Sequence, residues 1–237
     1  MLSHFFRQTD LVNSRMACLL YCISRLSPEV VVRTAGVGDE RVQSQELSGL
    51  RIYWSEIADP ETSLAEGPAK KSAEQKFRQV LREIVVQGTP IAVPFPVVLT
   101  DGEALVKYAA EEQGFYDEAL GRLGDSVQYE MIASWAADEQ ADLATPVSGL
   151  EYLKRRQEAA HRIAAIDTKL KTVTAGCVRE WRARQERRNH RWFALVARQD
   201  RERFVAALRS AGPSEGVRLK LSGPWPPGEF LGASTAS

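Results

Sequence analysis

The chain has 237 residues, 44% hydrophobic and 26% charged, with a formal net charge of zero. That length suits one large or two small domains able to bury a sizeable core without a metal or a disulfide. Whole-chain charge gives no drive toward nucleic acid or an anionic membrane, and no apolar run approaches the roughly 20 residues of a membrane span.

In chain order, residues 1–15 show no clear period and read as a loose N-terminal extension. Met16 to Ile23 follows Arg15 as a signal-peptide core would but lacks a small-residue cleavage site, so a cytoplasmic protein is expected. Ala17 to Ser24, ACLLYCIS, is short enough for a buried strand with Cys18, Leu20 and Cys22 on one face. Val30 to Val32 and Arg41 to Leu47 flank the turn-rich Gly36-Val37-Gly38-Asp39, and in Gly49 to Ile57 the residues Leu50, Ile52 and Trp54 alternate with Arg51, Tyr53 and Ser55, which opens a small sheet. Ser72 and Gln75 form a capping-box pattern ahead of an apolar helical stripe, Ala73, Phe77, Val80, Leu81, Ile84 and Val85, that stops near Gly88. Ile91 to Leu99 is β-rich but carries Pro94 and Pro96, each lacking a ladder donor, so it reads as an edge or bulged strand. Thr100 to Glu103 suggests a second capping box, opening a helix through Leu105, Tyr108, Ala109, Tyr116 and Leu120 that Gly114 weakens.

A boundary near Leu123 separates an N-terminal α+β domain, 16–123, from a second domain, 124–231. The second opens with Ser126 to Trp135, whose odd residues Val127, Tyr129, Met131 and Ala133 alternate as a strand. A polar loop through Pro146 follows. A long helix is then expected from Gly149 to Arg188 with one apolar seam, Leu150, Leu153, Ala160, Ile163, Ile166, Leu170, Val173, Cys177 and Trp181, and a weak point at Thr172 to Gly176 where a kink or break is expected. Arg191 to Ala197 reads as a strand, Phe204, Val205 and Leu208 as a short helix, and Val217, Leu219 and Leu221 as the buried face of a last strand. This order looks ferredoxin-like with one strand unseen. At Gly223 the alternation stops. Pro224, Pro226 and Pro227 surround Trp225, supply no N–H to a ladder and hold the indole on a stiff, solvent-facing arch that ends the sheet; either the arch only covers the edge of the core or it presents Trp225 to a partner. Residues 232–237 read as a disordered tail.

Little here points to catalysis. Cys18, Cys22 and Cys177 are odd in number and lack the paired spacing of a zinc site, so they read as reduced core thiols. His4, His161 and His190 are far apart and form no metal-ligand pattern. There is no phosphate loop, nucleophile elbow or dinucleotide fingerprint; Gly36-Val37-Gly38 lacks the third glycine and helix start. No catalytic residue, cofactor or metal site is assigned. From Leu150 to Arg191 there are 12 Lys/Arg against 5 Asp/Glu, a local excess of 7. It reads as a solvated helix face, a docking surface for an acidic protein, or a nucleic-acid-binding surface, the last without aromatic interleaving to support it.

Ser222 to Phe230, SGPWPPGEF, resembles the C-terminal signature of the gas-vesicle L/F accessory protein family, (Thr/Ser)-Gly-Pro-Trp-Pro-Pro-Tyr-(Ser/Asn)-Phe, with departures at Gly228 and Glu229. Gly149 to Arg156, GLEYLKRR, resembles the family's Gly-x-x-Tyr-Leu-x-x-Arg helix start. Weaker likeness extends over about residues 16–230, while Phe95-Pro96-Val97 replaces the family's Arg-Phe-Gly. The resemblance implies a two-domain α+β protein whose C-terminal domain is a modified ferredoxin-like fold with a long helix. It implies a non-enzymatic cytoplasmic protein, associated with the gas vesicle, that binds the major shell protein and other accessory proteins, but not nucleic acid or membrane, and assists nucleation or assembly. The partner-binding residues expected on this basis are Gly223, Pro224, Trp225, Pro226, Pro227 and Phe230, with Tyr152, Arg155 and Arg156. The alternative is a small-molecule-responsive regulatory module on a ferredoxin-like fold.

Overall fold

The computed structural model describes residues 16–26, 30–135, 148–186, 189–212 and 217–232. The N-terminal extension, the polar loop through Pro146 and the tail after Gly232 lie outside the described residues. The chain divides into two compact units, one comprising residues 1–125 with 225–231, the other 126–224 with 232–237. Among the described residues, no helix is long and apolar enough to cross a membrane.

The first unit is built on a four-stranded sheet ordered β2-β3-β1-β4, with β1 at Ala17–Ser24, β2 at Gln43–Leu47, β3 at Leu50–Ile57 and β4 at Ile91–Leu99. β1 runs antiparallel to both β3 and β4. Its continuous apolar sequence suits this central place, and seven of its eight residues are buried. Burial on both faces needs cover on both sides; a one-turn helix α1 (Pro60–Ser63), then α2 (Pro68–Gln87), α3 (Gly102–Glu111) and α4 (Gln113–Leu123) complete the unit. Phe77 of α2 stacks on Tyr21 at 5.3 Å and meets Phe95 edge-on at 5.0 Å. β4 is both an edge strand and bulged, since its register with β1 slips between Leu20 and Cys22 and skips Val93 to Pro96. The same slip in β1 lets the Tyr21 hydroxyl meet Ser55 Oγ at 2.9 Å and accept from Val37 N at 2.8 Å.

Three local expectations shift. Val30 to Val32 are not strand residues. α2 starts at Pro68, not Ser72, because proline at the first helical position gives up only an orphan donor. The cap of α3 is Asp101, accepting from Ala104 N at 2.8 Å, not Thr100, and the expected single helix breaks at Glu112 into α3 and α4.

The second unit runs β5 (Ser126–Trp135), α5 (Gly149–Val173), β6 (Val178–Glu186), β7 (Asn189–Ala197), α6 (Arg201–Ser210) and β8 (Val217–Trp225), with sheet order β6-β7-β5-β8. This is the ferredoxin-like βαββαβ arrangement. Its missing strand is β6, so the helix expected to reach Arg188 ends at Val173. β-branched Thr172, Val173 and Thr174 and then Gly176 at φ +77° stop it. Thr174, buried, returns its hydroxyl to the Leu170 carbonyl at 2.7 Å. Cys177 and Trp181 are therefore not part of a helical seam. Of the expected buried face of β8 only Val217 is buried; Leu219 and Leu221 remain 42% and 36% exposed at the sheet edge. The strand also continues past Gly223 to Trp225, because an edge strand leaves one row of N–H positions outside the ladder, where proline is tolerated.

Candidate functional site

The expected partner-binding residues are divided between the two units: the α5 residues with Gly223 and Pro224 in the second, Trp225 to Phe230 in the first. Tyr152, Arg155 and Arg156 lie on α5; the arch lies on β8 and the turn after it, with Trp225 to Leu231 counted in the first unit.

α5 is a 25-residue helix, about 37 Å long. Ser148 caps it through Glu151 N at 3.3 Å. Only its C-terminal third is built into the core, where Ile166 and Leu170 are buried. Asp167 fastens it there, accepting from Trp192 Nε1 at 2.9 Å while its other oxygen meets Lys171 Nζ at 2.8 Å. The first four turns carry no buried residue. Leu150 is 67%, Tyr152 53% and Leu153 60% exposed. Arg156 is exposed, and Arg155 is half-buried with Nε 3.1 Å from Glu151 Oε1. Of the single apolar seam expected from Leu150 to Trp181, the members on α5 that are buried are Ile166 and Leu170.

The arch departs from expectation in the opposite sense. Pro226 and Pro227 are buried, Phe230 is completely so, and Pro224 and Trp225 are half-buried. The indole does not stand free toward solvent; the Arg82 guanidinium of α2 lies over its ring, 4.5 Å from the centroid. A 3₁₀ turn over Gly228–Phe230 follows, with Phe230 N donating to Pro227 O at 3.1 Å, and Arg122 of α4 donates to the Phe230 and Leu231 carbonyls. Gly223 takes φ +134°. Apolar burial and these bonds make the segment a clasp on the first unit. Sequence reasoning found the motif but not Arg82 or Arg122, which sit among many exposed helical arginines with nothing local to mark them.

The remaining titratable groups describe a core. Burial pushes the Cys18 thiol up to about 11, with Glu56 and Asp101 adding to the shift, and pushes Cys22 well above its ordinary value. Both stay protonated at neutral pH, unlike reactive cysteines. His161 is exposed on α5, and the His190 ring packs on Trp192 at 4.4 Å. His4 lies outside the described residues. Among those described, no group of three or more His, Cys, Asp and Glu side chains is placed to hold a metal ion. The basic excess after Leu150 is shared between α5 and the β6–β7 hairpin, where Arg182 pairs with Glu180 at 2.9 Å and Arg191 with Glu130 at 3.1 Å.

Two solved structures resemble the chain over nearly its whole length. The crystal structure of the gas vesicle protein GvpF from Anabaena matches with a TM-score of 0.69 at 18% identity, covering 92% of this chain and 97% of that one. That of GvpF from Microcystis aeruginosa matches with a TM-score of 0.71 at 16% identity, covering 92% and 99%. At these identities the likeness establishes the fold. No curated protein matches the chain. The sequence pattern described as gas vesicle synthesis protein GvpL/GvpF matches residues 17–232, and the chain belongs to that family.

Proposed function

We propose that this protein is a non-catalytic assembly factor of the gas vesicle that binds the small hydrophobic shell protein, shields it before deposition and assists nucleation, acting in the cytoplasm and at the vesicle with other accessory proteins. The observation that carries the reading is the exposed apolar surface on the N-terminal part of α5. There Leu150, Tyr152 and Leu153 expose apolar surface beside Arg155 and Arg156 on a helix whose other end is locked into the core. A shell subunit with uncovered apolar surface aggregates unless a partner covers it. A rigid helix offers such a partner an apolar anchor and complementary charge at little ordering cost. Of the arch residues, Trp225, Pro226, Pro227 and Phe230 serve the same function indirectly, by holding the first unit together, while Gly223 and Pro224 end the last strand of the second unit.

The test is light scattering of the major shell protein diluted from denaturant, with and without stoichiometric purified protein and with an unrelated globular protein as control. Suppressed scattering and co-purification are expected. Unchanged scattering together with no co-purification would remove the shell protein as partner.

A further inference from the structure

Helical periodicity resolves α5 into two apolar faces. Ala159, Ile163, Ile166 and Leu170 form the inner one, intermediate or buried at each position. Leu150, Leu153, Gln157, Ala160 and Ala164 form the other, exposed at each position. At 100° per residue the two stripes lie ~130° apart, so the second does not continue the core face. Its spacing of three, four, three, four is that of the a and d positions of a coiled-coil seam, with two leucines at the N-terminal end, the polar Gln157 in the middle and two alanines after it. The positions flanking it carry Lys154 and His161 on one side and Arg156 on the other, all exposed. Glu151 and Glu158 lie further round, and Glu151 is engaged by Arg155.

From this arrangement we infer that the Leu150–Ala164 seam docks one amphipathic helix with acidic flanks, contributed by the partner protein. The inference rests on the assembly-factor reading and names what the partner presents. Charge decides among occupants. A second copy of the same helix would set Lys154 and Arg156 against equivalent groups of equal sign, whereas glutamates flanking an apolar stripe would meet both of them favourably. Width decides against a bilayer surface: the stripe is one residue wide, ends in alanines and carries no Trp or Phe, while interfacial helices bury a broad apolar face. Helix-on-helix pairing needs only such a narrow seam, and alanines at 160 and 164 allow close approach of the partner backbone at that end.

The full-length protein is titrated against two fluorescein-labelled helical peptides with leucine at a and d positions, one flanked by glutamate and one by lysine, and read by anisotropy. The glutamate peptide is expected to bind at least tenfold more tightly than the lysine peptide. Leu150→Gln with Leu153→Gln is expected to weaken it at least tenfold, and Lys154→Glu with Arg156→Glu to reverse the preference. These side chains are exposed, so far-UV circular dichroism and Tm should match wild type; if the leucine variant unfolds, the charge-reversed variant still gives the readout. Equal binding of both peptides, an unreversed preference, or binding to vesicles of 30% phosphatidylserine in phosphatidylcholine in place of the glutamate peptide would overturn the inference. The same variants in the scattering assay separate the two readings. Suppression that survives both sets of substitutions sinks the seam and leaves the shell-protein reading standing. Seam-dependent peptide binding without any suppression sinks the shell protein and leaves the seam.

Discussion

At Gly223 a methyl group would stand 2.8 Å from the Tyr129 ring and 2.9 Å from the Gln128 carbonyl oxygen, on a backbone held at φ +134°. Gly223→Ala should therefore lower unfolding stability by about 1–3 kcal/mol, read as a shifted urea midpoint, from strain and contact together. Arg82→Gln removes the charge over the Trp225 ring and should cost ~0.5–1 kcal/mol at an interaction of this exposure; an unchanged midpoint would mean the stacking contributes nothing. The buried acids predict alkaline sensitivity. Burial raises Cys18 to about 11 and Tyr53 to about 12. Folded and unfolded chains bind equal protons below the ordinary values of these groups, and above them the unfolded chain binds fewer. Stability is thus fully present below about pH 8.5 and is lost as pH rises through 11 and 12. Urea midpoints measured from pH 7 to 12 should be flat at first and then fall, and Cys18→Ala should soften the first part of the fall.

Elements with a strong local period were legible in the sequence, and those fixed by distant pairing were not. ACLLYCIS was readable as a strand because so short an apolar run favours a buried strand over a helix, and the stripe of α2 was plain from its helical period. β6, reading VREWRARQE, was hidden because Arg, Glu, Gln and Ala are good helix formers and an edge strand has little apolar alternation to show. What makes it a strand is its antiparallel register with β7, from Val178 opposite Val196 to Glu186 opposite Asn189. The candidate site was half legible for a related reason. Periodicity placed Leu150 and Leu153 on one apolar seam with Ile166 and Leu170, but the structure leaves the first two exposed and buries the last two. The two parts of α5 should respond differently to truncation. Ile166→Ala or Leu170→Ala is expected to cost about 2–5 kcal/mol, and Leu150→Ala or Leu153→Ala to stay within roughly 0.5 kcal/mol. Equal costs at both ends would show that the exposed part is covered in solution.

At the scale of the whole molecule, the two sheets share one plan. Each places its strands in the order second, third, first, fourth, with a helix leading into the fourth, and the first unit differs in having, among the described residues, only the 3₁₀ turn Val37–Asp39 between its first two strands. The sequence showed this plan in the second unit alone, since in the first unit the described part of the crossover holds only the three-residue 3₁₀ turn after Gly36, too short to carry a helical period. The chain passes from the first unit to the second after Asp125 and returns at Trp225. Deleting residues 225–237 should therefore speed amide hydrogen exchange in α2 and α4, which hold Arg82 and Arg122, more than in β7; equal acceleration everywhere would argue against the clasp. That return also sets an order of events on the ribosome. Residues 1–125 emerge without the seven residues that complete their fold and wait while 126–224 are made, roughly 5–20 s at ordinary elongation rates. Until then the surface around Arg82 and Arg122 lacks its cover, and a nascent chain stalled in the second unit exposes an unfinished first one to chaperones and proteases.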